Sequence, residues 1–167
     1  MKKTASGFTL IELITVILIL GLLAVAVLPR FGSLQSSARR ATLESIAGTM
    51  RSTIAIAQSK AYAKGLSRSA SNPGGSAQTG YVIETEAGKS EVDWRNLCPE
   101  SQAEVGDNLT MLDYISVSAT DPNLLTQVNN QYTRVGFDLG TNGGGCYVEY
   151  DSFGLPDCTV TIVDPNC

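Results

Sequence analysis

The feature that most constrains this chain is an apolar run over residues 8–28, 21 residues long. Only Thr9, Glu12, Thr15 and Gly21 interrupt its large apolar or alanine side chains. As a helix it covers about 30 Å, the thickness of a bilayer's hydrocarbon core. Lys2 and Lys3 precede it, so the positive-inside rule places residues 1–7 in the cytoplasm. Arg30 lies on the far side, where a large domain translocates regardless of one charge. A secretory signal peptide cut after Ala24-Val25-Ala26 is the competing reading. Length argues for a retained helix, because the apolar region of a signal peptide runs to about 7–15 residues. Glu12 argues the same way, since a carboxylate inside an apolar helix is costly and is normally kept for a partner.

Helical character continues past the run. Leu34, Ala38, Ala41, Leu43, Ile46, Ala47, Met50, Ile54, Ala57 and Ala61 recur mostly at spacings of three and four, with one spacing of two and one of one. That is the period of an amphipathic helix, with Arg39, Arg40, Glu44, Arg51, Gln58 and Lys60 mostly on other faces. Gly65 and the Ser/Asn/Pro/Gly-rich stretch 67–80 give a stop. One helix over 8–66 is the expectation, about 90 Å long if helical throughout. Pro29 deprives the Val25 carbonyl of its N–H partner and crowds it, and it biases Leu28 away from helical angles. A gentle kink is expected there.

Beyond the stop the signal turns to strands. Tyr81-Val82-Ile83 is a short apolar segment, and Ile115-Ser116-Val117-Ser118 alternates with period two. Residues 132–139, 146–150 and 158–163 are the clearest strands, separated by turns over 140–145 and 152–157. The last three read as an antiparallel meander. Laid on the apolar stripe of the helix, a sheet of about four strands gives an α+β head over 67–167, packed on residues 34–66. The glycine-rich 140–145 lacks the Lys-Ser/Thr of a phosphate loop and precedes no helix, so it reads as a hairpin turn.

Charge and residue chemistry then exclude most catalytic functions. Residues 1–68 hold nine Lys/Arg against two acids, and residues 69–167 hold three against fourteen. An acidic head disfavours nucleic acid, although Arg39, Arg40 and Arg51 are basic. The chain has no histidine, which removes the commonest general base and metal ligand. No nucleophile–base pair stands out, so no catalytic residue and no cofactor is assigned. Asp151, Asp157 and Asp164 match no calcium-loop spacing, and no metal site is assigned. The four cysteines, Cys98, Cys146, Cys158 and Cys167, form no C-x-x-C pair and read as two disulfides in an oxidising compartment. In a simple hairpin of the last two strands, Cys146 and Cys158 lie roughly 20 Å apart, too far for a bridge. That geometry favours Cys146 with Cys167 and Cys98 with Cys158, unless a bulged loop intervenes.

The residues also carry a resemblance. Ser6-Gly7-Phe8-Thr9-Leu10-Ile11-Glu12-Leu13 is similar to the cleavage and methylation signature of type IV prepilins and pseudopilins. The resemblance covers residues 1–60 closely and the rest in outline. It implies a leader, residues 1–7, removed after Gly7 by a prepilin peptidase that also methylates the new N-terminus at Phe8. It implies that Glu12 pairs with the Phe8 amine of a neighbouring subunit and sets the register of assembly. Gly21 and Pro29 match the family's helix-loosening positions, which implies unwinding of residues 22–28 in a filament. Asn108-Leu109-Thr110 has the form of a glycosylation sequon, discounted because the family is bacterial.

The resemblance implies a pilin-like fold and a structural, non-enzymatic protein. It would be stored in the bacterial inner membrane through residues 8–28, then extracted by an inner-membrane assembly machinery into a self-assembled helical homopolymer outside the cell. Head size and cysteine count resemble a type IVa major pilin. Pro29-Arg30-Phe31 and the 146–150 strand are similar to pilins of the mannose-sensitive haemagglutinin type, which implies surface attachment, biofilm formation or motility, with the surface or host ligand undetermined. A type II secretion pseudopilin is the alternative.

Overall fold

The computed structural model describes residues 8–74, 78–115, 123–140 and 144–167. The leader with Gly7, Ser116-Val117-Ser118 of the expected fourth strand, and 141–143 of the expected turn lie outside the described residues. The elements are α1 (Leu10–Ala63), β1 (Val82–Thr85), β2 (Gly88–Glu91), α2 (Met111–Tyr114), β3 (Leu125–Val128), β4 (Tyr132–Asp138), β5 (Cys146–Asp151) and β6 (Thr159–Val163). The chain divides into two compact units, one ending at Ala38 and one from Arg39 to Cys167.

The stop at Gly65 has a definite geometry. Gly65 adopts φ 86°, a left-handed angle that a side chain resists. The chain reversal lets Leu66 N–H donate to the Ala61 carbonyl at 3.0 Å and Gly65 N–H to the Tyr62 carbonyl at 2.9 Å. These two bonds are the Schellman pattern that satisfies the last helical carbonyls. Leu66, just past the cap, packs on the same apolar cluster as Ala61.

Within the second unit, the helix stripe packs on an antiparallel sheet ordered β3-β4-β5-β6. Leu43, Ile46, Ala47 and Met50 join Val135 of β4 and Val148 and Tyr150 of β5 in one core, with Cys98, Cys146, Met111 and Ile115. Ala57 and Ala61 join Ile83, Val92 and Leu97 in a second. Burial starts at Leu43, later than the stripe's periodicity predicts: Leu34 and Ala41 are exposed. The register Val135↔Val148 and Thr133↔Tyr150 puts these residues on one face. On the other face Tyr147 lies over Gly136, where a Cβ would run into Tyr147 and the Cys146 carbonyl.

Two strands were not expected. β2 pairs with β1 through the two-residue turn Glu86-Ala87. Its sequence, Gly-Lys-Ser-Glu, has neither β-branched nor aromatic residues. β3 is an edge strand exposed at every position, so it carries no alternation of buried and exposed residues. Of the expected 115–118 strand, Ile115 is the extended C-cap of α2.

Candidate functional site

The site is assembled at the start of α1. Thr9 immediately precedes the helix, and Glu12 is its third residue. Glu12 Oε2 accepts hydrogen bonds from Thr9 N–H at 2.9 Å and from the Thr9 hydroxyl at 2.8 Å. In return Thr9 Oγ1 accepts from Glu12 N–H at 3.4 Å. This is a capping box, in which two helix-end donors are satisfied reciprocally. The pairing of Thr9 with Glu12 is not among the expectations above, although Thr-x-x-Glu ahead of an apolar run is its sequence signature. Phe8, just before the box, is 85% exposed.

Beyond the box the helix surface is apolar and bare. The window Leu10–Val27 has a mean hydropathy of 2.9 and none of it is buried. That segment is long and apolar enough to cross a membrane. Its hydroxyls make no demand on other chains: Thr15 donates to the Ile11 carbonyl at 2.7 Å. Ser33 likewise donates to the Arg30 carbonyl at 2.9 Å. Gly21 and Pro29 both lie within α1, which continues through them as helix. A Cβ at Gly21 would meet nothing within 4 Å, so no contact inside the chain demands glycine there.

The four cysteines form two bridges. Cys98 is bonded to Cys158, and Cys146 to Cys167. The β5–β6 register explains why Cys146 and Cys158 do not meet: Asp151 lies opposite Thr159 and Tyr147 opposite Val163, so the two cysteines sit at opposite ends of the ladder. Asp151, Asp157 and Asp164 each have partners of their own. Asp157 pairs with Arg68 at 2.5 Å and Asp164 with Arg40 at 3.4 Å. Asp151 accepts from Gln131 at 3.1 Å and from Phe153 N–H at 2.9 Å. Among the described residues no three acidic or cysteine side chains converge to hold a metal ion.

Residues 2–28 match the prokaryotic N-terminal methylation motif. The chain is similar to the type IV narrow pilus major component PilA5 of Thermus thermophilus, 47% identical over 53 residues. The match covers 32% of this chain and 46% of that protein, so it spans less than half of the relative's length. No solved structure matches. The motif match takes in an apolar helix long enough to cross a membrane, and the relative it accompanies is a pilus component.

Proposed function

We propose that this chain is a type IV pilin, a structural subunit of an extracellular filament, polymerising through its N-terminal helix and serving surface attachment, biofilm formation or motility. The observation that carries the reading is the bare apolar surface of Leu10–Val27, which lies within the segment matching the methylation motif. Such a surface is at home in lipid and, once extracted, needs an equivalent apolar setting, which the helices of other copies supply. Both settings are apolar, so transfer between them draws on side-chain packing and not on dehydration.

Processing precedes assembly in this reading. A prepilin peptidase removes residues 1–7 after Gly7, and the amine created at Phe8 is methylated. Glu12 of one subunit then pairs with the Phe8 amine of another, which penalises wrong axial offsets because a mismatched charge is stranded among apolar helices. Gly21 and Pro29 are the positions where the helix loosens as subunits pack. The inner-membrane assembly machinery extracts each subunit.

The test is electron microscopy of sheared surface fibres, with mass spectrometry of the mature N-terminus. Fibres built of this chain, starting at methylated Phe8 and lost on deletion without a secretion defect, are the expected result. Fibres unaffected by deletion, with a secretion defect instead, would assign the chain to a type II secretion pseudopilin. A soluble monomer starting at Val27 would overturn both.

A further inference from the structure

The stretch 90–101 is buried except at Arg95, which is half-buried. It nevertheless carries three carboxylates: Glu91, Asp93 and Glu100 are 1%, 0% and 3% exposed. One guanidinium enters the region. Arg95 is held between the rings of Trp94 and Phe153, 4.2 and 4.1 Å from their centroids. Asp93 takes it, accepting from Arg95 Nη1 at 2.5 Å through Oδ2 and from Arg95 N–H at 2.6 Å through Oδ1. Glu91 Oε2 accepts from Glu104 and Val105 N–H at 2.9 and 3.0 Å.

Glu100 is left without a cation. Its Oε2 has no partner, and the antiparallel bridge Val92↔Pro99 sets Glu100 opposite Glu91, whose side of the segment Asp93 shares. Three buried carboxylates around one guanidinium leave Glu100 uncompensated, and a buried carboxyl without a cation is held more cheaply with a proton than as an anion. The acids around Glu100 add to that requirement, and Arg95 alone opposes it. Asp93 and Arg95 face it from its own segment, Glu91 from β2, Glu104 from the following loop and Tyr150 from β5. The Tyr150 hydroxyl is already committed to the Pro99 carbonyl at 2.5 Å, and its own ionisation is pushed up by burial, then by Glu100, Asp93 and Asp151.

We propose that Asp93 and Glu100 share one proton, carried by Glu100, and that this proton makes the stretch 90–101 a clasp that holds at acid and neutral pH and loosens in alkali. The clasp ties the β1–β2 hairpin to the sheet. Glu100 N–H donates to the Glu91 carbonyl at 3.0 Å, and Asn96 Nδ2 donates to the Ser152 carbonyl at 2.6 Å. The bridge from Cys98 to Cys158 keeps the loosening local.

Burial first, then the negative charges of Asp93, Glu104 and Glu91, push the Glu100 carboxyl from its ordinary 4.5 to about 9, against the pull of Arg95. The folded chain therefore binds this proton more tightly than the unfolded chain does. Its contribution to stability is full below the ordinary value of 4.5 and is lost as pH rises toward about 9. Across that window the folded-to-unfolded ratio falls by up to about tenfold per pH unit. This inference concerns the head alone and does not rest on the filament reading.

The test uses the full chain in detergent micelles. Infrared spectroscopy is expected to show a protonated carboxyl band at pH 7 that disappears at pH 10 and is missing from Glu100→Gln. The thermal midpoint of the wild type should fall between pH 5 and pH 9 more steeply than that of Glu100→Gln. Absence of the band from the wild type at pH 7 would overturn the proposal, and this needs no variant to fold. So would a band that persists in Glu100→Gln. A midpoint raised by calcium and lowered by a chelator, with no carboxyl band, would mean that a cation and not a proton relieves the charge.

Discussion

The two disulfides offer a matched comparison. Each joins a fully buried cysteine, Cys98 or Cys146, to a half-buried one, Cys158 or Cys167. Replacing both members of a bridge by alanine therefore removes a similar amount of packing in either case, and what differs is the length of chain released. Cys98 and Cys158 are 60 residues apart, Cys146 and Cys167 only 21. Loop-closure entropy assigns about 4.3 kcal/mol to the longer loop and about 3.3 kcal/mol to the shorter. The difference, about 1 kcal/mol, is roughly fivefold in the folding equilibrium, and either loss is a large share of the roughly 5–15 kcal/mol that stabilises a domain. Urea unfolding of the full chain in micelles, followed through Trp94 fluorescence, reads both quantities. The Cys98→Ala/Cys158→Ala variant should lose more stability and show the larger increase in denaturant sensitivity, because its unfolded state expands further. If the Cys146→Ala/Cys167→Ala variant lost more, chain entropy would not be what these bridges contribute.

Three further outcomes follow from single contacts. Met50 is fully buried between helix and sheet, so Met50→Ala should destabilise the head by about 3 kcal/mol in the same urea experiment. Tyr150→Phe strands the Pro99 carbonyl and should cost about 1–2 kcal/mol, with no gain in flexibility elsewhere by hydrogen exchange. At the start of α1, Glu12→Gln keeps a capping side chain but loses its charge, whereas Thr9→Ala keeps the charge and the backbone bond to Glu12 but loses the hydroxyl half of the cap. On the filament reading, Glu12→Gln should lower the yield of sheared fibres by more than about tenfold. Thr9→Ala should speed amide exchange at the first helical turn and reduce fibres far less. Equal fibre loss in both variants would make the cap, and not the charge, the assembly device.

What could be read before folding depended on whether a residue's role was local. The helix, its stop at Gly65 and strands β4 to β6 follow from periodicity and turn chemistry, and they were legible. β2 and β3 were not, because Gly-Lys-Ser-Glu is held in place by β1 and an edge strand exposed at every position has no alternation. Stripe periodicity ran from Leu34, but burial begins at Leu43, since periodicity reports which side of a helix is apolar and not where a sheet covers it. The buried acids were the largest omission. Glu91, Asp93 and Glu100 look like ordinary solvated charges in sequence, and only the closure of 90–101 around Arg95 puts them in the interior.

On the filament reading, Glu12 serves both a local and an assembly role. Both Thr9 donors converge on a single oxygen, Oε2. A carboxylate accepts through two oxygens, so the cap fixes the side chain while leaving Oε1 as the acceptor for an incoming amine. Fixing the carboxylate beforehand reduces what must be ordered when a neighbour arrives, which favours the paired register kinetically and thermodynamically. The cap and the register pair are then cooperative and not competing uses of Glu12. The Thr9→Ala variant discriminates between them: if capping and pairing competed for the same oxygen, losing the Thr9 hydroxyl would raise fibre yield, and if they cooperate, as the filament reading expects, yield falls modestly while Glu12→Gln alone abolishes the register.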